Sequence, residues 1–148
     1  MQWKCFNMQH RRARPAPRSR SQHPTPAFDE SALMERLMGD RELAQTVAGG
    51  FLTDLPKQLA TLQAHLTAHD THAAALQAHR IKGAAASMGC VALQKVAWAM
   101  ETAGQAGDLH AMAASFSDLQ QQFDAAREAI DASNMPIRRI YENVDCGR

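Results

Sequence analysis

The chain has few aromatic residues, few Val and Ile residues, and no long apolar run. Of its 148 residues, 45% are hydrophobic but only 5% are aromatic, and Ala, Leu and Gln predominate. This composition favours helices over strands. No run approaches the roughly 18 apolar residues of a membrane-spanning helix. The basic N-terminus has no apolar stretch behind it, so we expect no secretory signal.

Cysteine is also scarce. The three cysteines, Cys5, Cys90 and Cys146, are widely separated and odd in number. This pattern argues against a disulfide framework and indicates a reducing compartment, so we expect a cytoplasmic protein. Cys90 follows the glycine that ends a predicted helix. We interpret it as a small residue at a helix start and not as a redox thiol.

Charge divides the chain into three parts. Residues 1–26 hold six Lys or Arg and no acid, whereas residues 27–133 hold thirteen acids and seven Lys or Arg. We therefore predict a disordered, basic, Pro-rich arm over 1–27, a folded helical domain over 28–133 and a flexible tail over 134–148. The acidic folded part argues against nucleic acid as the main partner, and we expect no membrane partner.

Five helices are predicted from apolar spacings of three and four residues and from Gly and Asp at the breaks. Asp29 caps the first, and Asp70 or Thr71 caps the third. The predicted bounds are about Glu30–Met38, Arg41–Ala68, Thr71–Met88, Val91–Ala106 and Leu109–Ala132. Four long amphipathic helices with short connections predict an all-α fold: an antiparallel up-down four-helix bundle with a short additional N-terminal helix.

The helix predicted over 41–68 carries one apolar stripe and an internal proline. Pro56 cannot donate a backbone hydrogen bond, so we expect a bend there. The stripe consists of Leu43, Val47, Phe51, Leu55, Leu59, Leu62 and Leu66.

The stretch "AHRIKGAAASMG" (78–89) holds the candidate chemistry. His79, Lys82 and Gly83 share one face, and Ala74, Ala78, Ile81, Ala85 and Met88 form another, apolar face. Gly in a helix interior costs roughly 1 kcal/mol against Ala, so Gly83 is explained if a large partner must reach His79. Imidazole is a nucleophile near neutral pH. An ammonium one turn away would stabilise a phosphoryl group bound to it.

These residues resemble the signature of histidine-containing phosphotransfer (HPt) domains of bacterial two-component phosphorelays. The family shows His-x-x-Lys-Gly on the second bundle helix, followed by a small residue that closes the helix. The segment 28–63 is similar to the N-terminal part of the family, with Phe51, Asp54 and Pro56 by type. The segment "ALQKVAWAMETAGQAGDL" is similar to its next helix. The resemblance covers about residues 28–132.

The resemblance implies a phosphoryl carrier. His79 would accept a phosphoryl group on Nε2 from a receiver-domain aspartate and pass it to a response regulator. Lys82 would stabilise the phosphate charge and Gly83 would give access. The carrier would have no ATP site, would not be an enzyme and would hold no cofactor or metal, with Mg²⁺ on the partner. Its partners would be receiver domains of response regulators and of a hybrid histidine kinase, and it would be a monomer.

Glu101 stands where some members of the family have Gln near the active histidine. It either orients His79 or faces water. For the docking surface we expect Ala75, Leu76, Ala86 and the exposed part of the helix over 41–68. Trp98 lies off the main stripe of its helix, and we expect it to be partly buried or incidental.

Two alternatives remain open. One is a helical docking module without chemistry, which binds and sequesters a receiver or kinase domain. The other is a metal site, because His65 and His69 are four residues apart and His72 follows the turn. Against it, a histidine near a helix C-terminus is also explained by the helix dipole.

Overall fold

The structure is a computed structural model that describes residues 26–133. It contains five helices and no strand in that range, as predicted. The expectations for the arm before residue 26 and for the tail 134–148 lie outside the described residues. The helices are α1 (Glu30–Arg36), α2 (Arg41–Thr67), α3 (Thr71–Met88), α4 (Val91–Gln105) and α5 (Leu109–Ala132), each bound within two residues of its prediction.

Aspartates start four of the five helices. The side chains of Asp29, Asp40, Asp70 and Asp108 each accept a hydrogen bond from the backbone amide three residues later, at 2.9–3.0 Å. Such caps satisfy amides that a helix leaves without partners in its first turn. Asp70, and not Thr71, therefore caps α3. The fourth start is different, since Cys90 precedes α4 without a side-chain cap.

The four long helices enclose a single core. α3 contacts α2 and α4, and α5 contacts α4 and α2, so the four helices form a closed ring. The rings of Phe51 and Phe123 meet edge to face across α2 and α5, with centroids 6.1 Å apart. The largest fully buried side chains are Leu33, Leu55, Leu62, Ile81, Met88, Leu93, Met100, Met112, Leu119 and Ile130.

The stripe predicted on α2 is wrong at Leu43, which is 45% exposed. Val47 is half-buried and packs against the core, and the stripe omits Ala44 and Ala48, which are fully buried. Counting back from Leu55 by 3.6 residues a turn leads to Ala48 and Ala44, so these small residues continue the core face. The α2 helix continues through Pro56, and the bend there stays a prediction.

The short helix α1 covers the C-terminal end of α3. The Arg36 guanidinium donates to the carbonyl of Ala86 and to that of Ser87, the latter at 3.0 Å. α3 ends at Gly89, whose φ of +77° is the left-handed conformation that favours glycine. A Cβ at Gly89 would also lie 3.1 Å from the Asp29 carbonyl oxygen. Within residues 26–133, no helix is long and apolar enough to cross a membrane.

Candidate functional site

The two predicted faces of α3 are confirmed. Ala74, Ala78, Ile81, Ala85 and Met88 are all buried. On the other face the His79 side chain is 62% exposed and the Lys82 side chain 26% exposed. The helix thus presents one imidazole to solvent and holds the ammonium closer to the neighbouring helix.

Glu101 of α4 joins both residues. Its Oε1 lies 2.9 Å from Nδ1 of His79, and its Oε2 lies 2.6 Å from Nζ of Lys82. The residue is only 9% exposed. Two roles were left open for Glu101. The alternative that it faces water is wrong, because its side chain is buried and contacts His79.

The charge state of Glu101 follows from these contacts. The hydrogen bond from Lys82 lowers the pKa of the Glu101 carboxyl, and the bond with His79 lowers it further, against the opposing effect of burial. Glu101 is therefore a carboxylate at neutral pH and can only accept hydrogen bonds. It follows that Nδ1 of His79 carries the proton and donates it, which leaves Nε2 as the nitrogen with a free lone pair.

The antiparallel run of α3 and α4 explains the contact between His79 and Glu101. Each lies eleven residues from Cys90, the residue at the turn between the two helices. Farther from the turn, Gly104 of α4 meets Ala75 of α3. Equal separation from the turn could have paired Glu101 with His79 from the sequence alone. Nothing comparable in the sequence indicates the contact between Glu101 and Lys82.

Two helical glycines near the site have opposite surroundings. A Cβ added to Gly83 would have no other atom within 4 Å, so nothing in the described part of the chain requires a glycine there. A Cβ at Gly104 would lie 2.7 Å from Cβ of Ala75 and 3.0 Å from the Met112 side chain. Gly104 is thus required for packing, whereas Gly83 leaves open surface beside His79.

A shallow depression surrounds His79, and sequence reasoning missed two of its residues. His72 and Gln105 line it together with Leu76, and Gln105 Nε2 lies 3.5 Å from Oε1 of Glu101. The prediction that Ala75 lies on the docking surface is wrong, because Ala75 is buried against Gly104. Leu76 and Ala86 remain accessible.

The other residues singled out in the sequence lie apart from this depression. Trp98 is 62% exposed, which is more than expected. Cys90 is fully buried, and burial raises the pKa of its thiol to about 11, which fits a packing role. Over the described range 26–133, no three His, Cys, Asp or Glu side chains are arranged to hold a metal ion, and His65, His69 and His72 form no such group.

Comparison with known proteins gives two matches. The family model of the Hpt domain matches residues 47–129. The crystal structure of histidine-containing phosphotransfer protein B from Pseudomonas aeruginosa PAO1 has a similar fold, with a TM-score of 0.68 and 24% sequence identity. The match covers 72% of this chain and 92% of that one. No curated protein sequence matches. Because the family model spans more than half of the chain, the protein belongs to the Hpt domain family, which performs histidine phosphotransfer in phosphorelay signalling.

Proposed function

We propose that His79 is the phosphoryl-accepting residue and that Nε2 is the atom that accepts. One observation carries the proposal: an exposed imidazole on α3 whose Nδ1 is bound by a buried carboxylate at 2.9 Å. A neutral histidine held in this way keeps one defined tautomer, with the free lone pair on Nε2. His72, the other histidine of the depression, has no such partner among residues 26–133.

The reaction balances without an added reagent. The Nε2 lone pair of His79 attacks the phosphorus of an aspartyl phosphate on a receiver domain. An N–P bond forms, the P–O bond to the aspartate breaks, and the carboxylate leaves with the bonding electrons. Nδ1 keeps its proton throughout and donates it in the hydrogen bond to Glu101, so the phosphorylated ring carries a positive charge. The reverse sequence, with a second receiver's aspartate as nucleophile, passes the group on.

Lys82 supplies a cation beside this chemistry. Its ammonium lies 2.6 Å from Glu101 Oε2, and Glu101 in turn contacts His79. An ammonium has three N–H donors, so Lys82 can keep the bond to Glu101 and still donate to a phosphoryl oxygen. The resting Lys82–Glu101 pair is neutral. The phosphoryl group carries two negative charges and the imidazole ring that keeps its Nδ1 proton gains one positive charge, so the transfer adds one net negative charge. Lys82 would therefore stabilise the product by a hydrogen bond more than by net charge.

In the proposed reaction, the partner receiver domain supplies the metal ion and the phosphoryl donor. Mg²⁺ and the phosphorylated aspartate belong to the receiver domain, and the carrier needs no ATP site, cofactor or metal of its own. Gly83 gives the receiver access to His79. Four further points stay predictions. They are the up-down order of the helices, the monomeric state, the cytoplasmic location, and receiver domains of a hybrid kinase and of a response regulator as partners.

Phosphoryl transfer tests the proposal. The full chain, His79→Gln and His72→Gln are mixed with a panel of phosphorylated receiver domains, and any label is tested for lability in acid and stability in alkali. We expect such label on the wild type and on His72→Gln, and none on His79→Gln. Label on His79→Gln would move the chemistry to another residue. No label from any donor, with receivers bound, would favour the docking module without chemistry.

A further inference from the structure

A second depression lies between α2 and α5, across the bundle from His79. Of the four seams in the ring of long helices, the seam between α2 and α5 is packed least closely. His79 lies where α3 meets α4, so the two depressions are on opposite sides of the ring. The residues of the α2–α5 cleft are mostly apolar and include Pro56, Leu59, Ala60, Phe116, Gln120 and Phe123.

The α2–α5 cleft leaves apolar surface in contact with water. Phe116 is only half-buried, and Pro56 and Ala60 are exposed. A segment that lay over these side chains would remove them from water and be stabilised by doing so. None of the cleft residues takes part in the proposed phosphoryl transfer, so an occupant of the cleft would not compete with a receiver domain at His79.

Negative charge borders the cleft along α5. Asp124 lines the cleft, and Asp131 lies two turns farther along the same side of the helix, with Arg127 between them. Over residues 118–132, α5 holds four acids and one arginine. Its last turn has no basic residue, although the helix dipole favours a cation there. An occupant that is both apolar and basic therefore suits the cleft.

The chain continues after α5 with a segment of this character. The sequence "NMPIRRIY" (134–141) holds one Met, two Ile, one Tyr and two Arg, and it has no acid. The α5 helix ends at Ala132, and Ser133 is already extended, so the chain leaves the helix at one end of the cleft. Asn134 and Pro136 are residue types that favour a turn. A segment tethered this close to its site also binds at high effective concentration.

The length of this segment fits the length of the cleft. Measured back along α5 from its last residue, Asp124 lies at about 12 Å and Phe116 at about 24 Å. A chain that turns at Pro136 and runs back extended covers about 13 Å by Ile140 and about 26 Å by Val144. Ile140 thus comes level with Asp124, and Val144 comes level with Phe116.

We propose that residues 134–144 turn back along α5 and bind in the α2–α5 cleft. In this arrangement their apolar side chains lie over Phe116 and Phe123, and their two arginines lie beside the acids of α5. The C-terminal segment then closes the most loosely packed seam of the bundle and leaves His79 uncovered. This binding is independent of phosphoryl transfer, and it takes the place of the flexible tail that the sequence predicts.

A spin label measures where the C-terminal segment lies. In the full chain with Cys5→Ser, a nitroxide is attached to Cys146, and Cys90 should not react because it is buried and its thiol pKa is raised to about 11. We expect the amide signals of Gln63 and Phe116, at the far end of the cleft, to lose most of their intensity. Broadening confined to the amides around the end of α5 would overturn the proposal.

Full-chain variants test the contact itself. Tyr141→Gln in the segment and Ala60→Gln in the cleft are compared with Ala114→Gln, the same exposed helical change outside the cleft. We expect the first two variants to abolish the broadening at Phe116 and to raise the ratio of unfolded to folded protein about threefold to tenfold. Ala114→Gln should do neither. Broadening that persists in both Tyr141→Gln and Ala60→Gln would overturn the proposal.

Other occupants give other results. Broadening of Phe116 in unlabelled chains mixed with labelled ones would make a second copy the occupant and overturn the proposal. So would broadening of Phe116 by a label on Cys5 but not by one on Cys146, which would make the N-terminal arm the occupant. Both readouts need no phosphoryl donor, so they test the cleft whether or not His79 accepts a phosphoryl group.

Discussion

At the scale of single residues, the site depends on one buried carboxylate. Glu101 accepts from His79 with one oxygen and pairs with Lys82 through the other. A carboxylate beside a phosphoryl site would by itself repel the product. Here Lys82 neutralises the Glu101 carboxylate. In the proposed reaction, the hydrogen bond between Glu101 and Nδ1 of His79 selects the tautomer that can attack. In the proposed reaction, Glu101 is thus a positioning residue for His79.

Replacing Glu101 tests this role. Glu101→Ala should slow phosphorylation of His79 by about 10- to 100-fold, the value of a hydrogen bond to a charged group. The imidazole ¹⁵N shifts should move away from the Nδ1–H tautomer, which a purely structural role would not cause. Gln105→Ala, which removes a weaker contact at 3.5 Å, is the matched control and should have little effect. Unchanged ¹⁵N shifts and rate in Glu101→Ala would show that the bond does not position the imidazole.

Replacing Gly83 should affect stability and phosphoryl transfer in opposite directions. Its Cβ position is empty, so Gly83→Ala should raise the free energy of unfolding by about 0.5–1 kcal/mol. The same variant should accept phosphoryl groups from receiver domains more slowly, because a methyl group stands in the partner's way. Urea denaturation and transfer kinetics measure the two effects. A more stable protein with wild-type transfer would show that Gly83 is not needed for access.

At the scale of helices, the approach of α3 to α4 sets the geometry of the site. Gly104 allows this approach, since its missing Cβ would fall 2.7 Å from Cβ of Ala75. Side chains that contact each other across this seam include His79 and Glu101, at 2.9 Å. The close contact of Gly104 with Ala75, one turn farther along, therefore affects the geometry of this pair through the spacing of the two helices.

A methyl group at Gly104 should push the two helices apart. We expect Gly104→Ala to lower the free energy of unfolding by about 1–3 kcal/mol, the usual effect of overpacking. Adding Ala75→Gly should restore part of that loss, because it removes the other half of the clash. Urea denaturation of the two single variants and the double variant completes the cycle. Additive losses would mean that the methyl group is accommodated without contact to Ala75.

At the scale of the whole molecule, the ion pair links the site to stability. The pKa of Glu101 is lowered in the folded protein below its ordinary value of 4.5. The unfolded chain therefore takes up this proton first as the pH falls, and the folded state loses stability. The contribution of Glu101 is present above about pH 4.5 and disappears as the pH falls through the lower folded pKa.

Acid denaturation measures this linkage. Between pH 6 and pH 3, the wild type should lose more stability than Glu101→Gln, which has no proton to take up at this position. Urea midpoints across that range give the difference, and Glu128→Gln, an exposed change on α5, is the control expected to follow the wild type. Parallel curves for wild type and Glu101→Gln would show that the pair contributes nothing to acid stability.

Local sequence patterns are sufficient to predict the helices and the face of α3 that carries His79. Aspartate caps, glycine stops and apolar spacing act within a few residues, so the bounds of all five helices and the buried face of α3 could be predicted from local patterns. The position of His79, Lys82 and Gly83 on one face follows from the helical period alone. The same local reasoning failed on α2, where it followed the largest side chains and passed over Ala44 and Ala48.

Contacts between residues of different helices depend on tertiary packing. The position of Glu101 between His79 and Lys82 and the contact of Gly104 with Ala75 both depend on how one helix packs on another. A helical pattern states which side chains share a face, but it does not state the separation or rotation of the neighbouring helix. The separation and rotation of neighbouring helices depend on all the side-chain volumes in the core together. The distance of 2.9 Å between Glu101 Oε1 and Nδ1 of His79 follows from that packing.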